Sequence, residues 1–210
     1  MKQLFIQGLR LARIPGWRNW RPKTDTNPER YLTTKEFLSI HARDFLSRSG
    51  SSSLDLECGN NPRNPFLASI HKGLDLHEYP EACITSCDLS ISKIPFDADT
   101  FDFITAFDFL EHIPRVAIVN GCTTLPFISL MNEIHRALKP GGLFYSQTPA
   151  SPCKEAFSDP THINIITEDT FVLYFSNDHW ARIYGFEGHF RILGQEWCRP
   201  SLLTLIQKIE

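Results

Sequence analysis

Acidic residues stand at the ends of four short predicted strands in the first half of the chain, and their types could bind a polar ligand. The residues at these strand ends are Glu57-Cys58-Gly59, Asp75-Leu76, Asp88-Leu89 and Asp108. Ionised carboxylates only accept hydrogen bonds, so such a set favours a ligand with hydroxyl, amino and ammonium groups. We predict a binding site for a small molecule of that chemistry where these residues meet.

A second reactive segment is Asp159-Pro160-Thr161-His162-Ile163-Asn164. Because histidine changes its protonation near neutral pH, His162 could take a proton from an acceptor hydroxyl, and we predict it as the catalytic base. A structural interpretation stands beside this one: Asp159 caps a turn, and His162 hydrogen-bonds the backbone to hold the loop. His112, beside Glu111, is a second candidate for the base.

Both reactive segments contain metal-ligand residue types, but from the sequence we expect no metal site. Such a site would need Asp159 and His162 to converge with Glu111 and His112, which come from an earlier part of the chain. The six cysteines lack paired CxxC spacing, so the sequence signals neither a zinc site nor a disulfide framework. We expect them to be reduced thiols.

Short strands that alternate with helices must position these residues. We predict strands near 53–56, 72–76, 83–87, 101–107 and 143–147, and helices over 34–48, over 125–138 and from Thr167 onward. Alternation of this kind requires crossover connections and hence a mostly parallel sheet. Two β-prone runs, 186–197 and 201–208, come last and favour an antiparallel hairpin.

In a parallel α/β sheet, ligands bind beyond the carboxyl ends of the strands, where the strand order reverses. The acids that follow the strands are therefore expected at the ligand-binding edge. Two of the acids, Asp55 and Asp108, each have more than one possible role. Asp55, inside the first strand, contacts the ligand or orients the loop after it. Asp108 contacts the ligand or the acceptor, or caps the helical segment that contains Glu111 and His112.

Three motifs resemble those of class I S-adenosylmethionine-dependent methyltransferases. Leu54-Asp55-Leu56-Glu57-Cys58-Gly59 is similar to the family's first motif, an apolar-Asp-apolar-Gly-Cys-Gly run. Phe101 to Ile104 with Asp108 to Ile113 resembles its fourth-strand block, and Leu138-Lys139-Pro140-Gly141-Gly142 resembles its turn into the fifth strand. The match covers about residues 52–147 in the right order. Similar Asp-Pro-Thr-His-x-Asn segments occur in bacterial relatives, some of which are thought to modify surface sugars.

The resemblance implies a Rossmann-like α/β fold: a seven-stranded, mostly parallel sheet with an antiparallel last strand and helices on both faces. It implies S-adenosylmethionine as cofactor, with Asp75 at the ribose and Asp88 and Leu89 at the adenine. The cofactor-binding residues that it suggests are Asp55, Glu57, Gly59, Asp75, Leu76, Asp88, Leu89 and Asp108. The expected activity is methyl transfer to oxygen or nitrogen of a small or saccharide-like acceptor.

One residue departs from the family pattern, because Glu57 stands where the first glycine is usual. Glycine there lets the backbone approach the cofactor, whereas a side chain could block the site, point away, or reach the cofactor ammonium. The alternative function is therefore a catalytically degenerate, methyltransferase-fold binding protein. A nicotinamide-dependent oxidoreductase is disfavoured, since Glu57-Cys58-Gly59-Asn60-Asn61-Pro62 lacks the three glycines of a pyrophosphate-binding turn.

Length and charge bound the organisation of the chain. With 210 residues, we predict a basic N-terminal arm over 1–32 and a single methyltransferase domain over 33–210. A formal net charge of -3 disfavours nucleic acid as a partner. Residues 1–23 are basic and partly apolar, which favours either weak contact with a membrane or packing on the domain. Without an uninterrupted apolar segment, we expect a cytoplasmic protein.

Overall fold

Nine strands form a seven-stranded sheet and a separate hairpin in the part of the chain that the structure describes. This computed structural model describes residues 32–79, 83–176 and 178–209. The strands are β1 (Ser52–Leu56), β2 (Ile70–Asp75), β3 (Ile84–Ser86), β4 (Phe101–Phe107), β5 (Ala117–Val119), β6 (Cys122–Thr124), β7 (Leu138–Pro149), β8 (Phe190–Cys198) and β9 (Ser201–Lys208). The helices are α1 (Thr34–His41), α2 (Pro126–Ala137), α3 (Glu155–Ser158) and α4 (Glu168–Phe171).

The order of strands in the large sheet is β3-β2-β1-β4-β7-β9-β8. The first five strands in this order run parallel, whereas β9 is antiparallel to both β7 and β8. The chain moves outward from β1 to β3 and then returns to place β4 on the other side of β1, so the strand order reverses between β1 and β4. The Rossmann-like sheet with an antiparallel last strand is therefore confirmed.

Apolar side chains cover both faces of the sheet. Neighbouring residues on a strand point to opposite faces, and Phe103 and Ile104 accordingly belong to two different buried clusters. The cluster that contains Ile104 includes residues of α2, and the cluster that contains Phe103 includes residues of α1. Helices thus lie on both faces, as predicted.

Local sequence explains where the two longer helices begin. Thr33 and Glu36 form a capping box in which each side chain bonds the other's backbone N–H, and α1 follows. α2 begins at Pro126, whose missing N–H has no partner to lose in the first turn. These helices pack the sheet from opposite sides and hold its edge in place.

Several predicted boundaries were wrong. The helix predicted over 34–48 ends at His41, because Ala42 leaves helical geometry at φ -138° and a short 3₁₀ turn, Arg43–Phe45, follows. The fifth parallel strand starts at Leu138 rather than near 143, since the Pro-Gly-Gly turn is a bulge inside β7 opposite Phe101 and Phe103. The β5–β6 hairpin was not predicted.

Parallel pairing brings the strand ends to one edge. Leu56 aligns with Leu74 and Ala106, and Phe107 aligns with Gln147. The segments after β1, β2, β4 and β7 therefore start side by side. The predicted arm over 1–32, and with it the membrane contact predicted for 1–23, lies outside the described residues except for Leu32. None of the helices in the described ranges is long and apolar enough to cross a membrane.

Candidate functional site

The loop after β1 lies across the end of β2. The Cys58 N–H donates to the Leu74 carbonyl at 3.0 Å, and the Gly59 N–H donates to Asp75 Oδ2 at 2.8 Å. Gly73 makes room for this arrangement, because a Cβ there would lie 2.4 Å from Cys58 Sγ. An ideal Cβ at Gly59 would meet none of the described residues within 4 Å, so they leave the outer side of the loop backbone open.

Glu57 adopts the backbone conformation of the glycine that it replaces. Its φ is +50°, and Gly59 follows at +59°. A side chain in this left-handed region costs about 1–2 kcal/mol. The Glu57 carboxyl accepts a hydrogen bond from the Leu76 backbone. It therefore lies at the ends of β1 and β2, and does not point away from the predicted cofactor site.

Glu57 adds a third acid beside Asp75 and Asp88. Burial, and after it the negative charge of Asp75, raise the pKa of the Glu57 carboxyl to about 7. The side chain is therefore protonated in a large share of molecules at neutral pH. A cationic ligand at this place would favour the ionised form.

Asp75 ends β2 and is only 5% exposed. Its Oδ2 accepts the Gly59 N–H, and its Oδ1 accepts the His77 N–H at 2.9 Å. The His77 ring also lies 3.3 Å from Oδ1 but is 75% exposed. Leu76, between them, exposes 53% of its apolar surface. A buried acid beside an exposed apolar side chain suits a ligand that combines hydroxyl groups with a flat ring.

Asp55 holds the loop and the central strands together. Its Oδ2 accepts the Arg63 N–H at 2.8 Å, and its Oδ1 accepts the Thr105 hydroxyl at 2.6 Å. Burial raises the pKa of the Asp55 carboxyl to about 6 despite these bonds. Both oxygens are engaged, so the interpretation of Asp55 as the residue that orients the loop agrees with its contacts.

Asp88 and Leu89 point in different directions after β3. Asp88 Oδ1 accepts from the backbone N–H and the hydroxyl of Ser90, at 2.9 and 2.6 Å. Leu89 is 3% exposed and packs in the core beneath this turn. The acid lies near Glu57 at the edge where we predict ligand binding, whereas the Leu89 side chain belongs to the core.

The segment after β4 begins with Asp108 and turns into the 3₁₀ turn Leu110–His112. None of the described side chains makes a capping hydrogen bond to this turn, whose N-cap is Phe109, so the alternative in which Asp108 is a cap was wrong. Asp108 has φ +50° and is exposed, and its N–H donates to the Gln147 carbonyl. It stands where the segments after β4 and β7 meet.

Glu111 is 1% exposed, which is unusual for a carboxylate. Its Oε2 accepts the Thr148 hydroxyl at 2.6 Å, but its buried Oε1 has no hydrogen-bond partner among the described residues. Burial raises the pKa of the Glu111 carboxyl. One oxygen of a buried acid is thus left for a further contact.

The loop Asp159 to Asn164 converges with the Glu111 segment. Asn164 is fully buried; its Nδ2 donates to the Leu110 carbonyl and its N–H donates to the Glu111 carbonyl, both at 2.9 Å. This connection brings the His112 and His162 rings to 4.9 Å between centroids. Both predicted base candidates therefore lie at one place.

Hydrogen bonds at Nδ1 decide which nitrogen each histidine leaves available. His162 Nδ1 lies 3.0 Å from the Glu155 carbonyl, which can only accept, so Nδ1 carries the proton. The Thr161 hydroxyl donates to Asp159 and therefore accepts from His112 Nδ1 at 3.0 Å. In the neutral rings, the lone pair is on Nε2 of both histidines.

The roles of three residues in the site were not predicted. Thr105 and Thr148 each donate to a buried acid, and Asn164 ties the two reactive segments together. A threonine inside an apolar strand run is a weak signal for such a role, because it is also common in strands. The bonds of Asn164 join distant segments and leave no local pattern.

A cavity of about 530 Å³ adjoins the loop that carries His162. Aromatic and aliphatic side chains line most of it, among them Phe127, Tyr174 and Phe175. Arg115 stands at its polar side and donates from Nε to Asn164 Oδ1 at 2.7 Å. Its volume suits a small molecule or the apolar part of one.

Comparison with known proteins gives consistent matches. A family model described as a methyltransferase domain matches residues 34–190. A ubiquinone biosynthesis O-methyltransferase from Colwellia psychrerythraea is 24% identical over 149 residues. That alignment takes in 62% of this chain and 56% of the relative, so the chain spans little more than half of the relative's length.

Solved structures share the fold at low sequence identity. An S-adenosylmethionine-dependent methyltransferase from Mesorhizobium loti superposes with a TM-score of 0.53 at 20% identity, over 83% of this chain and 98% of that one. A SAM-dependent methyltransferase from Aquifex aeolicus gives 0.55 at 13% identity, over 86% and 91%. The likeness concerns the arrangement of strands and helices along nearly the whole of those proteins.

Proposed function

The chain belongs to the family of S-adenosylmethionine-dependent methyltransferases, and we propose that it methylates an oxygen or nitrogen atom of a small or saccharide-like acceptor. The observation that carries this proposal is the division of one sheet edge into two parts. Acids and an open glycine loop stand after β1 to β3, and two histidines with a buried carboxylate stand after β4 and β7. The first part suits the methyl donor and the second suits the acceptor.

The residues after β1 to β3 fit the cofactor. Asp75 keeps lone pairs for ribose hydroxyls beyond the two backbone bonds that it already accepts, since an ionised carboxylate offers about four acceptor sites. The open side of Gly59 leaves space for close approach. Asp88 stands next along the edge for the adenine amino group, and Glu57 provides an acid for the cofactor ammonium.

The bound cofactor supplies a methyl group on a positively charged sulfur. The protein's part is to hold the acceptor atom in line with the methyl group and the sulfur. Asp55 fixes the loop on the donor side through Arg63 and Thr105, and Asn164 fixes the loop on the acceptor side. Rigid supports on both sides reduce the entropy cost of alignment.

His162 is the residue that we propose to activate the acceptor. Its Nδ1–H is held by the Glu155 carbonyl, so Nε2 is free to interact with an acceptor hydroxyl. His112, which Thr161 holds in the same tautomer, stands beside it. The apolar cavity next to the loop supports an acceptor that has both a hydroxyl or amino group and an apolar part.

Calorimetric titration with S-adenosylmethionine and S-adenosylhomocysteine tests the cofactor assignment, with NADH as a control ligand. We expect micromolar binding of both cofactor forms and none of NADH. Asp75→Ala should weaken binding at least tenfold, because the ribose hydroxyls lose a buried acceptor. Binding that is unchanged in Asp75→Ala, or absent from the folded protein, contradicts the proposal.

Glu57→Gly distinguishes an active enzyme from a degenerate relative. Since Glu57 already adopts the glycine-like conformation, the loop geometry is retained, and we expect the variant to change cofactor affinity by less than about tenfold. A protein that binds S-adenosylmethionine only as Glu57→Gly would instead be the degenerate binding protein. Once an acceptor is found by a screen that starts with sugars, His162→Asn tests the activation of the acceptor.

A further inference from the structure

We propose that Glu111, His112 and His162 hold a divalent transition-metal ion, of the zinc, manganese or cobalt type, at the acceptor side of the site. This inference rests on the proposed function, because it assigns to the ion the activation of the acceptor. It also revises the sequence-based expectation that the chain has no metal site.

The first support is a buried oxygen without a partner. The Glu111 side chain is 1% exposed, Thr148 satisfies Oε2, and Oε1 has no hydrogen-bond partner among the described residues. A buried carboxylate oxygen that is left unpaired destabilises the folded state. A cation at Oε1 would remove that cost.

The second support is the proximity of three ligand atoms. One ligand atom from each of Glu111, His112 and His162 lies within 4.8 Å of the other two. Ligands bound to one zinc ion at about 2.0–2.2 Å are at most about 4 Å apart, so a shift of about 1 Å completes the site. Both histidine side chains are half-exposed, so a shift of this size does not require repacking of the core.

The third support is the set of contacts behind the ligands. A metal-bound histidine usually donates its other ring N–H to a carbonyl or a carboxylate, which fixes the ring and its tautomer. His162 Nδ1 meets the Glu155 carbonyl, and His112 Nδ1 meets the Thr161 hydroxyl, which itself donates to Asp159. Both rings are thus held with Nε2 free, as metal binding requires.

The donor set indicates the kind of ion. Two imidazoles and one carboxylate form the ligand set of many catalytic zinc sites and of several sites for other transition metals, whereas magnesium and calcium prefer oxygen ligands alone. Three protein ligands leave at least one coordination position. The acceptor hydroxyl would take that position.

The ion changes how the acceptor loses its proton. A hydroxyl bound to the ion has a lowered pKa and releases its proton to solvent water. An oxygen lone pair then forms the new bond to the methyl carbon while the carbon–sulfur bond breaks, and that electron pair stays on sulfur, giving S-adenosylhomocysteine. His162 then activates the acceptor as a ligand and does not take the proton.

Cobalt binding tests the site without any knowledge of the acceptor. The full chain, freed of metal with a chelator and dialysed, is titrated with Co²⁺ and followed by its visible absorption, and Zn²⁺ is titrated by calorimetry. We expect one ion per chain. His112→Gln and His162→Gln should each weaken binding at least tenfold, and Glu111→Gln should do the same if it folds.

His41→Gln is the matched control, since His41 also lies 3.0 Å from a carboxylate, that of Glu196, but outside the cluster. It should bind metal like the parent. The inference is overturned if the parent does not bind one metal ion per chain. It is also overturned if the His112 and His162 variants bind metal as tightly as the parent.

S-adenosylmethionine binding is measured in the same samples. Cofactor binding without metal binding leaves the proposed function standing and removes the ion. Metal binding without cofactor binding would leave the metal site standing and would contradict the proposed methyltransferase function.

Discussion

The buried carboxylates of the donor side, at the ends of β1 and β2, differ in their hydrogen bonding from Glu111 of the acceptor side, which follows β4. On the donor side, the Asp55 and Asp75 oxygens all accept hydrogen bonds, mostly from backbone N–H groups of the same sheet edge. On the acceptor side, Glu111 has one oxygen without a hydrogen-bond partner among the described residues, and its carboxylate lies within 4.8 Å of a ring nitrogen of His112 and of His162. The hydrogen bonds on the donor side fix the geometry of the loop, whereas the acceptor side retains polar atoms that can contact a ligand.

Two asparagines, the buried Asn164 and the half-buried Asn64, give the sharpest test of this contrast. Asn164→Ala removes the bonds to the Leu110 carbonyl and the Arg115 guanidinium, so we expect a loss of about 3 kcal/mol in the free energy of unfolding. Turnover should fall with it, because the two reactive segments separate. Denaturant unfolding and an activity assay measure the two effects.

Asn64→Ala is the matched control for Asn164→Ala. Asn64 exchanges two hydrogen bonds with the Ala68 backbone and accepts the Ser53 hydroxyl at 3.4 Å, all on the donor side. It should lose about 1–2 kcal/mol of stability while the contacts of Glu111 and the histidines persist. If both asparagine variants lost metal binding to the same extent, the proposed difference between the donor side and the acceptor side would be contradicted.

Gly73→Ala tests the donor side by overpacking. The new Cβ would lie 2.4 Å from Cys58 Sγ and 2.8 Å from Pro62 Cγ, so the loop after β1 must move. We expect about 2 kcal/mol of destabilisation and at least tenfold weaker binding of S-adenosylmethionine, with metal binding intact. The double variant Gly73→Ala with Cys58→Ala should recover part of both losses, as calorimetry and thermal unfolding would show.

Two threonines that each donate at 2.6 Å to a buried acid allow matched Thr→Val variants of the two sides to be compared. Thr105→Val removes the hydroxyl that donates to Asp55 Oδ1, and Thr148→Val removes the hydroxyl that donates to Glu111 Oε2. Each should cost about 1.5 kcal/mol of stability. Thr105→Val should weaken cofactor binding and Thr148→Val should weaken metal binding. Loss of both ligands in either variant would mean that the two sides are coupled.

The smallest effect expected is a pH dependence that Glu57 adds to stability. Its pKa is about 7 in the folded protein and 4.5 without the fold, so the folded state holds the extra proton between these values. Stability therefore falls as pH rises from 4.5 to 7. Because solvent screens the half-exposed side chain, we expect about 1 kcal/mol.

Glu57→Gln should lack this fall in stability. Unfolding by denaturant at a series of pH values, in the parent and in Glu57→Gln, isolates the contribution of Glu57 from that of Asp55. Parallel pH profiles of the two proteins would contradict the raised pKa.

The donor side could be predicted from sequence because Glu57, Asp75 and Asp88 stand at or just after the ends of three short strands. Recognising the strands therefore fixes the place of these acids, since parallel strands end at one edge. The conformation of Glu57 was not predictable, because φ is set by the loop contacts of Cys58 and Gly59.

The acceptor side depends on contacts between distant segments. Sequence analysis identified His162, His112 and Glu111 separately, but their meeting rests on the bonds between Asn164 and the Leu110–Glu111 backbone. The β5–β6 hairpin was missed for a related reason. Its strands have only three residues each and show no clear alternation of apolar and polar side chains.

Because β9 comes late in the chain, its pairing with β7 forms later during synthesis than the pairing of the earlier strands. β9 pairs with β7 from Leu143↔Gln207 to Pro149↔Ser201, so Thr148 has its strand neighbour only after residue 202 has left the ribosome. The pairs among β1, β2 and β4 need no residue beyond 107. The strand pairs behind the donor side can therefore form earlier in synthesis than the pairing of β7 with β9 behind the acceptor side.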